Sequence, residues 1–182
     1  MPQAKTRADL LMDLGLVAFL IAFDVTARLL PHAPGFLPVA ASGLFAARML
    51  RMPALAVIVP LAAMAISGFG FAADDWQVSL VVYGAIAVPA LAGIYSRRWR
   101  GALAIAATML SCSLFFFVST NLAVWAFSGI YAHTLQGLTE CYVLALPFLE
   151  KTVLGDLFWT AALFGGAWLV QHGPALVRRP QV

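Results

Sequence analysis

Side chains that could recognise a small molecule are concentrated between residues 119 and 156 of a chain that is otherwise apolar. Asn121 and Trp125 are four residues apart, so on a helix they would share one face. An amide that forms hydrogen bonds, beside an indole that offers stacking area, suits a small polar molecule with a ring. The alternative is structural: Asn121 would bond backbone groups at a turn, and Trp125 would anchor the segment at the membrane interface.

Ionisable and aromatic side chains elsewhere extend this candidate binding site. Glu140 could hold a cationic group, although an acid in an outer loop is commonly only hydrated. Asp24 is a candidate because ionisable residues inside membrane spans are usually functional, whereas an ion pair with Arg28, four residues later, would explain it without a ligand. The predicted ligand-binding residues are Asp24, His32, Tyr83, Asn121, Trp125, Tyr131, Glu140 and Tyr142.

The sequence predicts neither a catalytic set nor a metal site. Cys141 with His133 or His32 could form a soft metal site, but their spacing matches no recognised metal-binding pattern. Phosphate-binding loops and hydrolase motifs are also missing from the sequence. We therefore predict that the protein is not an enzyme, and the sequence identifies no cofactor. A membrane enzyme that uses Glu140 or Cys141 is the weakest alternative.

The composition indicates that a membrane surrounds these residues. Of the 182 residues, 63% are hydrophobic and only 10% are charged, whereas soluble domains carry about 25% charged residues. Such a chain has too few charged residues to form a water-exposed surface, so a bilayer must solvate most of its exterior. No basic face is visible for nucleic acid. We expect one all-α transmembrane domain over residues 1–182.

Apolar runs along the chain predict six transmembrane helices with both termini cytoplasmic. The run over 36–50 is short enough to tilt or to sit partly inside the bundle. Between the fifth and sixth helices we expect an outer re-entrant or interfacial helical segment over 119–151. A seventh span over 134–149 is the less favoured alternative, because it is short and contains Glu140. The predicted spans are approximately 10–29, 36–50, 53–72, 77–95, 101–118 and 153–172.

The orientation follows from basic residues, which favour the cytoplasmic side of a membrane. With six spans and a cytoplasmic N-terminus, nine of the 11 basic residues lie inside, and only Arg28 and Lys151 lie outside. A seventh span would move Arg178 and Arg179 outside. The inside residues are Lys5, Arg7, Arg48, Arg51, Arg97, Arg98, Arg100, Arg178 and Arg179.

The polar segment also carries a family resemblance. The pattern STNLAVW…SGIY…T..GL..CY..ALPF…T..GDL, with ARLLPHAPGFLPVAASGLFAA earlier in the chain, resembles a family of small uncharacterised bacterial membrane proteins. The likeness covers roughly residues 25–172. That family is similar to the substrate-binding S components of energy-coupling-factor vitamin transporters, in particular the solitary vitamin B12 S-component-like proteins.

The resemblance implies six helices, a substrate site near the extracellular side and a place in the bacterial inner membrane. In some members of that group an A-x-x-x-A motif in the first helix contacts a membrane partner subunit, and Ala18 and Ala22 match this motif. Ordinary packing inside the bundle is the alternative role of these two residues. The B12-related proteins use an earlier cysteine as a cobalt ligand, whereas the first cysteine here is Cys112. The likeness therefore does not extend to cobalt ligation.

Together these observations predict an integral membrane protein that binds or takes up a small vitamin-like molecule at the outer face. The expected partners are the lipid bilayer, the small-molecule ligand and membrane partner subunits, but not nucleic acid. The alternative is a structural or accessory subunit of a larger membrane complex, since short loops and wide apolar faces fit that role equally well.

Overall fold

The computed structural model describes residues 7–68, 75–99 and 101–177, and within these ranges every regular element is helical. This confirms the all-α prediction. Both termini, and with them Lys5, Arg178 and Arg179, lie outside the described residues. The α-helices are α1 (Arg7–Leu29), α2 (Val39–Met49), α3 (Ile58–Ser67), α4 (Trp76–Tyr95), α5 (Ala102–Phe127) and α6 (Leu135–Val177), with 3-10 turns over Pro53–Val57 and Ser96–Arg98.

Four of these helices are long and apolar enough to cross a membrane. They are α1, α4 with its following 3-10 turn, α5 and α6. The shortest of the four segments has 23 residues, or about 34 Å of helix, against a hydrocarbon core of roughly 30 Å. The lengths and compositions of these helices are those of a membrane protein.

The central element of the bundle is the short helix α2. It has 11 residues, eight of which are buried, and it packs against α1, α3, α4 and α6. Its length of about 17 Å is roughly half the hydrocarbon thickness. A helix that is apolar on all sides is stable when other helices surround it. The short second run therefore sits inside the bundle, one of the two arrangements expected for it.

Helices α2 and α4 approach each other closely because Gly93 has no side chain. A Cβ atom at Gly93 would lie 2.7 Å from the Cβ of Ala47 and 3.1 Å from the carbonyl oxygen of Leu44. In a membrane the packing of helices depends on such small residues, since lipid is as apolar as the protein.

The structure corrects the prediction of a separate segment over 119–151. Helix α5 continues to Phe127, and α6 starts at Leu135 and runs without interruption to Val177. The two helices form an antiparallel hairpin and pack along each other. Most of the predicted segment therefore extends its neighbouring helices. The 43 residues of α6 measure about 65 Å, so the helix is far longer than a bilayer core is thick.

Hydrogen bonds along the hairpin explain why its polar sequence is helical. The Tyr142 hydroxyl donates to the carbonyl oxygen of Val118 at 2.7 Å, and the Cys141 thiol donates to that of Asn121 at 3.4 Å. These side chains find acceptors on the facing helix. Polar residues in this stretch therefore do not require an irregular segment.

Candidate functional site

A cavity of about 350 Å³ lies inside the bundle, between α2, α4, α5 and α6, and beneath the connection from α1 to α2. Most of its lining is apolar, as with Met109 and Phe116 from α5. Pockets that bind small molecules commonly have volumes of 300 Å³ or more and combine apolar walls with a few polar groups. Here the polar groups are Arg28, Ser113, Thr152 and Asp156.

Arg28 is the cation of this cavity. Its Nε donates to the hydroxyl of Ser67, which in turn donates to the carbonyl oxygen of Ala63 at 2.6 Å. This chain of bonds orients the guanidinium at the ends of α1 and α3. Among the described residues no carboxylate lies within ion-pair distance of Arg28. The remaining guanidinium donors can therefore serve a bound molecule.

The opposite wall offers a carboxyl group and a hydroxyl group on one face of α6. Asp156 is 4% exposed and accepts a hydrogen bond of 2.6 Å from Ser113 on α5. Thr152 is one turn earlier, and its hydroxyl is buried without a hydrogen-bond partner in the described part of the chain. A buried polar atom without a partner costs free energy, so a ligand that gained access to this hydroxyl would remove that cost.

The connection between α1 and α2 closes the cavity and is pressed against α6. Gly35 has a φ angle of +79°, and a Cβ atom on it would lie 2.7 Å from the Thr152 hydroxyl oxygen. On the other side of this contact, a Cβ atom at Gly155 would lie 2.9 Å from the Cα of Phe36. Both positions therefore require glycine if the connection is to stay in place.

The residues first singled out in the sequence lie elsewhere. Asn121 donates from its amide to the carbonyl oxygen of Phe117, one turn back on the same helix, at 2.8 Å. Trp125 donates from its indole to the carbonyl oxygen of Ala132 at 3.0 Å, and its ring packs against His133. Asn121 thus bonds a backbone group, as in the structural alternative, but within α5 and not at a turn. The indole of Trp125 bonds the connection that follows α5.

The other predicted residues of the hairpin are also apart from the cavity. The hydroxyl of Tyr142 donates its hydrogen bond to the facing helix. Glu140 is exposed, and Tyr131 is half-buried in the connection between α5 and α6. The structure thus brings this group together near the hairpin turn, and none of its members lines the cavity.

The other three predicted residues belong to α1, to α4 and to the connection between α1 and α2, and none of them lines the cavity. Asp24 is fully buried and accepts a hydrogen bond of 2.7 Å from Ser42. It does not form the ion pair with Arg28 that was considered from the sequence. His32 is exposed and bonds its neighbouring backbone, and Tyr83 is half-buried on α4. As ligand-binding residues, all eight remain predictions.

Sequence reasoning missed Asp156, Thr152 and Ser113 as parts of one site. A signal existed for Asp156, because it stands four residues inside the apolar run 153–172, where an ionisable residue is unusual. The predicted ligand-binding residues nevertheless do not include it. Thr152 and Ser113 gave no comparable signal, since hydroxyl residues are frequent in membrane helices.

These features define an integral membrane protein whose helices enclose a small, mostly apolar cavity with a few polar groups. The chain belongs to a family described as Family of unknown function (DUF6580), whose profile matches residues 9–177. Comparisons with curated proteins and with solved structures gave no match.

Proposed function

We propose that the cavity captures a small, largely apolar organic molecule that carries an anionic group. The observation that supports this most strongly is Arg28, a cation at the cavity wall without an ion-pair partner among the described residues. An anionic group would contact the guanidinium, and the apolar body would fill the space beside Met109 and Phe116. A hydroxyl or amine at the other end would reach Asp156 and the unpartnered hydroxyl of Thr152.

The energetics favour an occupied cavity. A hydrogen bond to a charged group contributes about 1.5–3 kcal/mol, and an unsatisfied buried polar atom costs about 1–3 kcal/mol. A ligand that contacts both Arg28 and Thr152 would gain the hydrogen bond to the charged group and would remove the cost of the unsatisfied hydroxyl. Both effects favour the binding of a molecule that has polar groups at two ends.

The proposed role is substrate capture at the outer face of a six-span bundle with cytoplasmic termini. The cavity lies toward the C-terminal ends of α1 and α3 and the N-terminal end of α2, which is the outer side in the orientation proposed from the basic residues. The connection over residues 30–38 would then be the outer cover. This arrangement agrees with the resemblance to transporter S components.

Uptake through such a protein would use partner subunits, and α1 offers a surface for them. Ala18 and Ala22 are both exposed there, beside Phe19, which is 61% exposed. Small residues on one helix face permit close approach of another membrane helix. The same surface would serve an accessory subunit, and the presence of a bound molecule separates the two roles.

The first prediction concerns the ligand. After gentle purification, native mass spectrometry should detect a small molecule bound to the unaltered protein. The Arg28→Gln variant should lose this molecule. The loss of a charged hydrogen bond predicts an affinity about 10- to 100-fold weaker. Arg98→Gln is the matched control, because Arg98 is an exposed arginine on the 3-10 turn after α4, where it stacks on Trp99.

Variants of the hairpin decide between the two candidate sites. Asn121→Ala and Trp125→Ala should retain the molecule if it occupies the cavity. If they lose it while Arg28→Gln keeps it, the site lies at the hairpin as the sequence suggested. A ligand-free protein that co-purifies with larger membrane proteins would contradict substrate capture and support the accessory role.

The proposed topology predicts that both ends of the chain are cytoplasmic. The only two cysteines, Cys112 and Cys141, are buried, so a cysteine introduced at residue 178 can be labelled selectively in intact cells. We expect a membrane-impermeant maleimide to leave it unlabelled until the membrane is opened. Labelling in intact cells would overturn the six-span assignment.

A further inference from the structure

A second cavity, of about 600 Å³, lies at the opposite end of the bundle and is lined by arginines. Arg48 lies in the last turn of α2, Arg51 follows that helix, and Arg97 lies in the 3-10 turn after α4. We call this cavity the arginine pocket. Within the described part of the chain its lining contains three arginines and no acidic residue, a composition that favours an anion.

The guanidinium groups of the arginine pocket are held in place by backbone carbonyls. Arg97 donates to the carbonyl oxygens of Ala47, at 2.8 Å, and of Leu50. Arg48 donates to the carbonyl oxygen of Trp99 at 2.9 Å. An arginine at the end of each helix thus bonds the backbone at the end of the other helix. These bonds fix the positions of the cations before a ligand binds. Preorganised donors lose little entropy on binding.

The local acids leave two of these arginines without an ion-pair partner. Asp9 pairs with Arg51, and Asp13 accepts hydrogen bonds from the backbone amides of Arg51 and Met52 at 3.1 and 2.7 Å. In the described part of the chain no carboxylate lies within ion-pair distance of Arg48 or Arg97. The Nε atom of Arg48 is buried and has no hydrogen-bond partner there.

The start of α5 adds further donors. Gly101 lines the pocket, immediately before the first residue of α5, and no side chain caps this helix. The first backbone amides of a helix have no partner within it and attract anions, phosphate above all. Gly101, at the start of α5, therefore borders the same pocket as the three arginines.

The remaining walls of the arginine pocket are apolar and point to a lipid rather than a soluble anion. Met49, Ile105 and Phe164 line it, and Leu103, in the first turn of α5, is 84% exposed. In a bilayer such an apolar rim would face acyl chains while the cations meet the headgroup. Basic pockets between helix ends are known to hold anionic headgroups.

We propose that the arginine pocket binds the phosphate of an anionic phospholipid. This site is independent of the ligand cavity, from which it is separated by the length of α2. The lipid would neutralise Arg48 and Arg97 and would join the ends of α2, α4 and α5. It would therefore also stabilise the bundle by mass action.

Native mass spectrometry of delipidated protein can test this with phosphatidylglycerol and phosphatidylcholine that carry the same acyl chains. We expect the first phosphatidylglycerol to bind about tenfold more tightly or better, as charged hydrogen bonds predict. The preference should disappear in the Arg48→Gln/Arg97→Gln double variant. It should persist in Arg28→Gln, which removes one positive charge at the opposite end of the bundle.

A second pair of variants avoids removing the arginines that hold the helix ends. Met49 lines the pocket and is 38% exposed. Met49→Glu should abolish the preference by placing a carboxylate among the arginines, whereas Met49→Gln, of nearly the same shape, should keep it. Melting temperatures of both variants in lipid-free detergent show that they are folded.

Three results would overturn the proposal. One is equal binding of the two lipids by the unaltered protein. Another is a preference that survives in folded Met49→Glu. The third is displacement of phosphatidylglycerol by inorganic phosphate, which would make the ligand a soluble anion.

Discussion

Replacing Gly93 with leucine should destabilise the protein more than any other single substitution described here. The Cβ atom alone would lie 2.7 Å from the Cβ of Ala47, and the rest of the leucine would have to enter the α2–α4 interface. Overpacking of a core costs about 1–3 kcal/mol or more. Because α2 is enclosed by four other helices, it cannot move aside without disturbing them all. We expect a lower melting temperature in detergent and less protein in the membrane.

The matched control for Gly93→Leu is Gly84→Leu on the same helix. Gly84 is exposed, and a Cβ atom there would have no neighbour within 4 Å. Exposed substitutions usually change stability by about 0.5 kcal/mol or less, and both variants carry the same change in helix propensity. Equal melting temperatures for the two would show that the close approach of α2 and α4 is not what stabilises the bundle.

Replacing Gly155 with leucine should empty the proposed ligand cavity while the bundle stays folded. The new side chain would collide with the backbone at Phe36, whose Cα lies 2.9 Å from the Cβ position. The connection over 30–38 would have to lift from α6, and the cavity would lose its cover. Because the conflict is with a connection and not with a packed helix, the effect on stability should be smaller than that of Gly93→Leu.

Ligand retention and melting temperature, measured together, test this second prediction. We expect Gly155→Leu to lose the bound molecule, with an affinity about tenfold weaker or more, since the cover excludes water from charged contacts. Gly165→Leu is the control, because Gly165 lies on the same helix and a Cβ atom there meets nothing within 4 Å. A Gly155→Leu protein that binds as tightly as the unaltered chain would show that the connection is not a cover.

Much of the fold could be predicted from local properties of the sequence. Apolar length identified the long helices, and the shortness of run 36–50 left two arrangements for α2, of which the structure has the inner one. The prediction failed at 119–151, where polar residues suggested a break. Their hydroxyl, thiol and indole groups bond carbonyl oxygens of the hairpin, as Tyr142 and Trp125 do. Whether such acceptors are available depends on the facing helix and is invisible in a single segment.

The candidate site was harder to predict than the fold. Asn121 and Glu140 were among the residues whose side chains most suggested ligand binding. In the structure Asn121 bonds its own helix, and Glu140 is exposed. The cavity instead joins Arg28, Ser113 and Asp156, which stand far apart in the chain. From the sequence, Arg28 is a candidate ion-pair partner of Asp24. In the structure Asp24 instead accepts a hydrogen bond from Ser42 and forms no ion pair with Arg28.

The sequence by itself determined that this is a helical membrane protein, because hydropathy acts residue by residue along the chain. The structure decided which of the six apolar runs belong to helices long enough to cross a bilayer. The tertiary structure alone decided which polar side chains share a cavity. Which side chains meet depends on the distance between the packed helices and on the rotation of each helix about its axis. Close contacts such as those at Gly93 and Gly155 determine both. In the sequence these two glycines look the same as Gly84 and Gly165, which face open space.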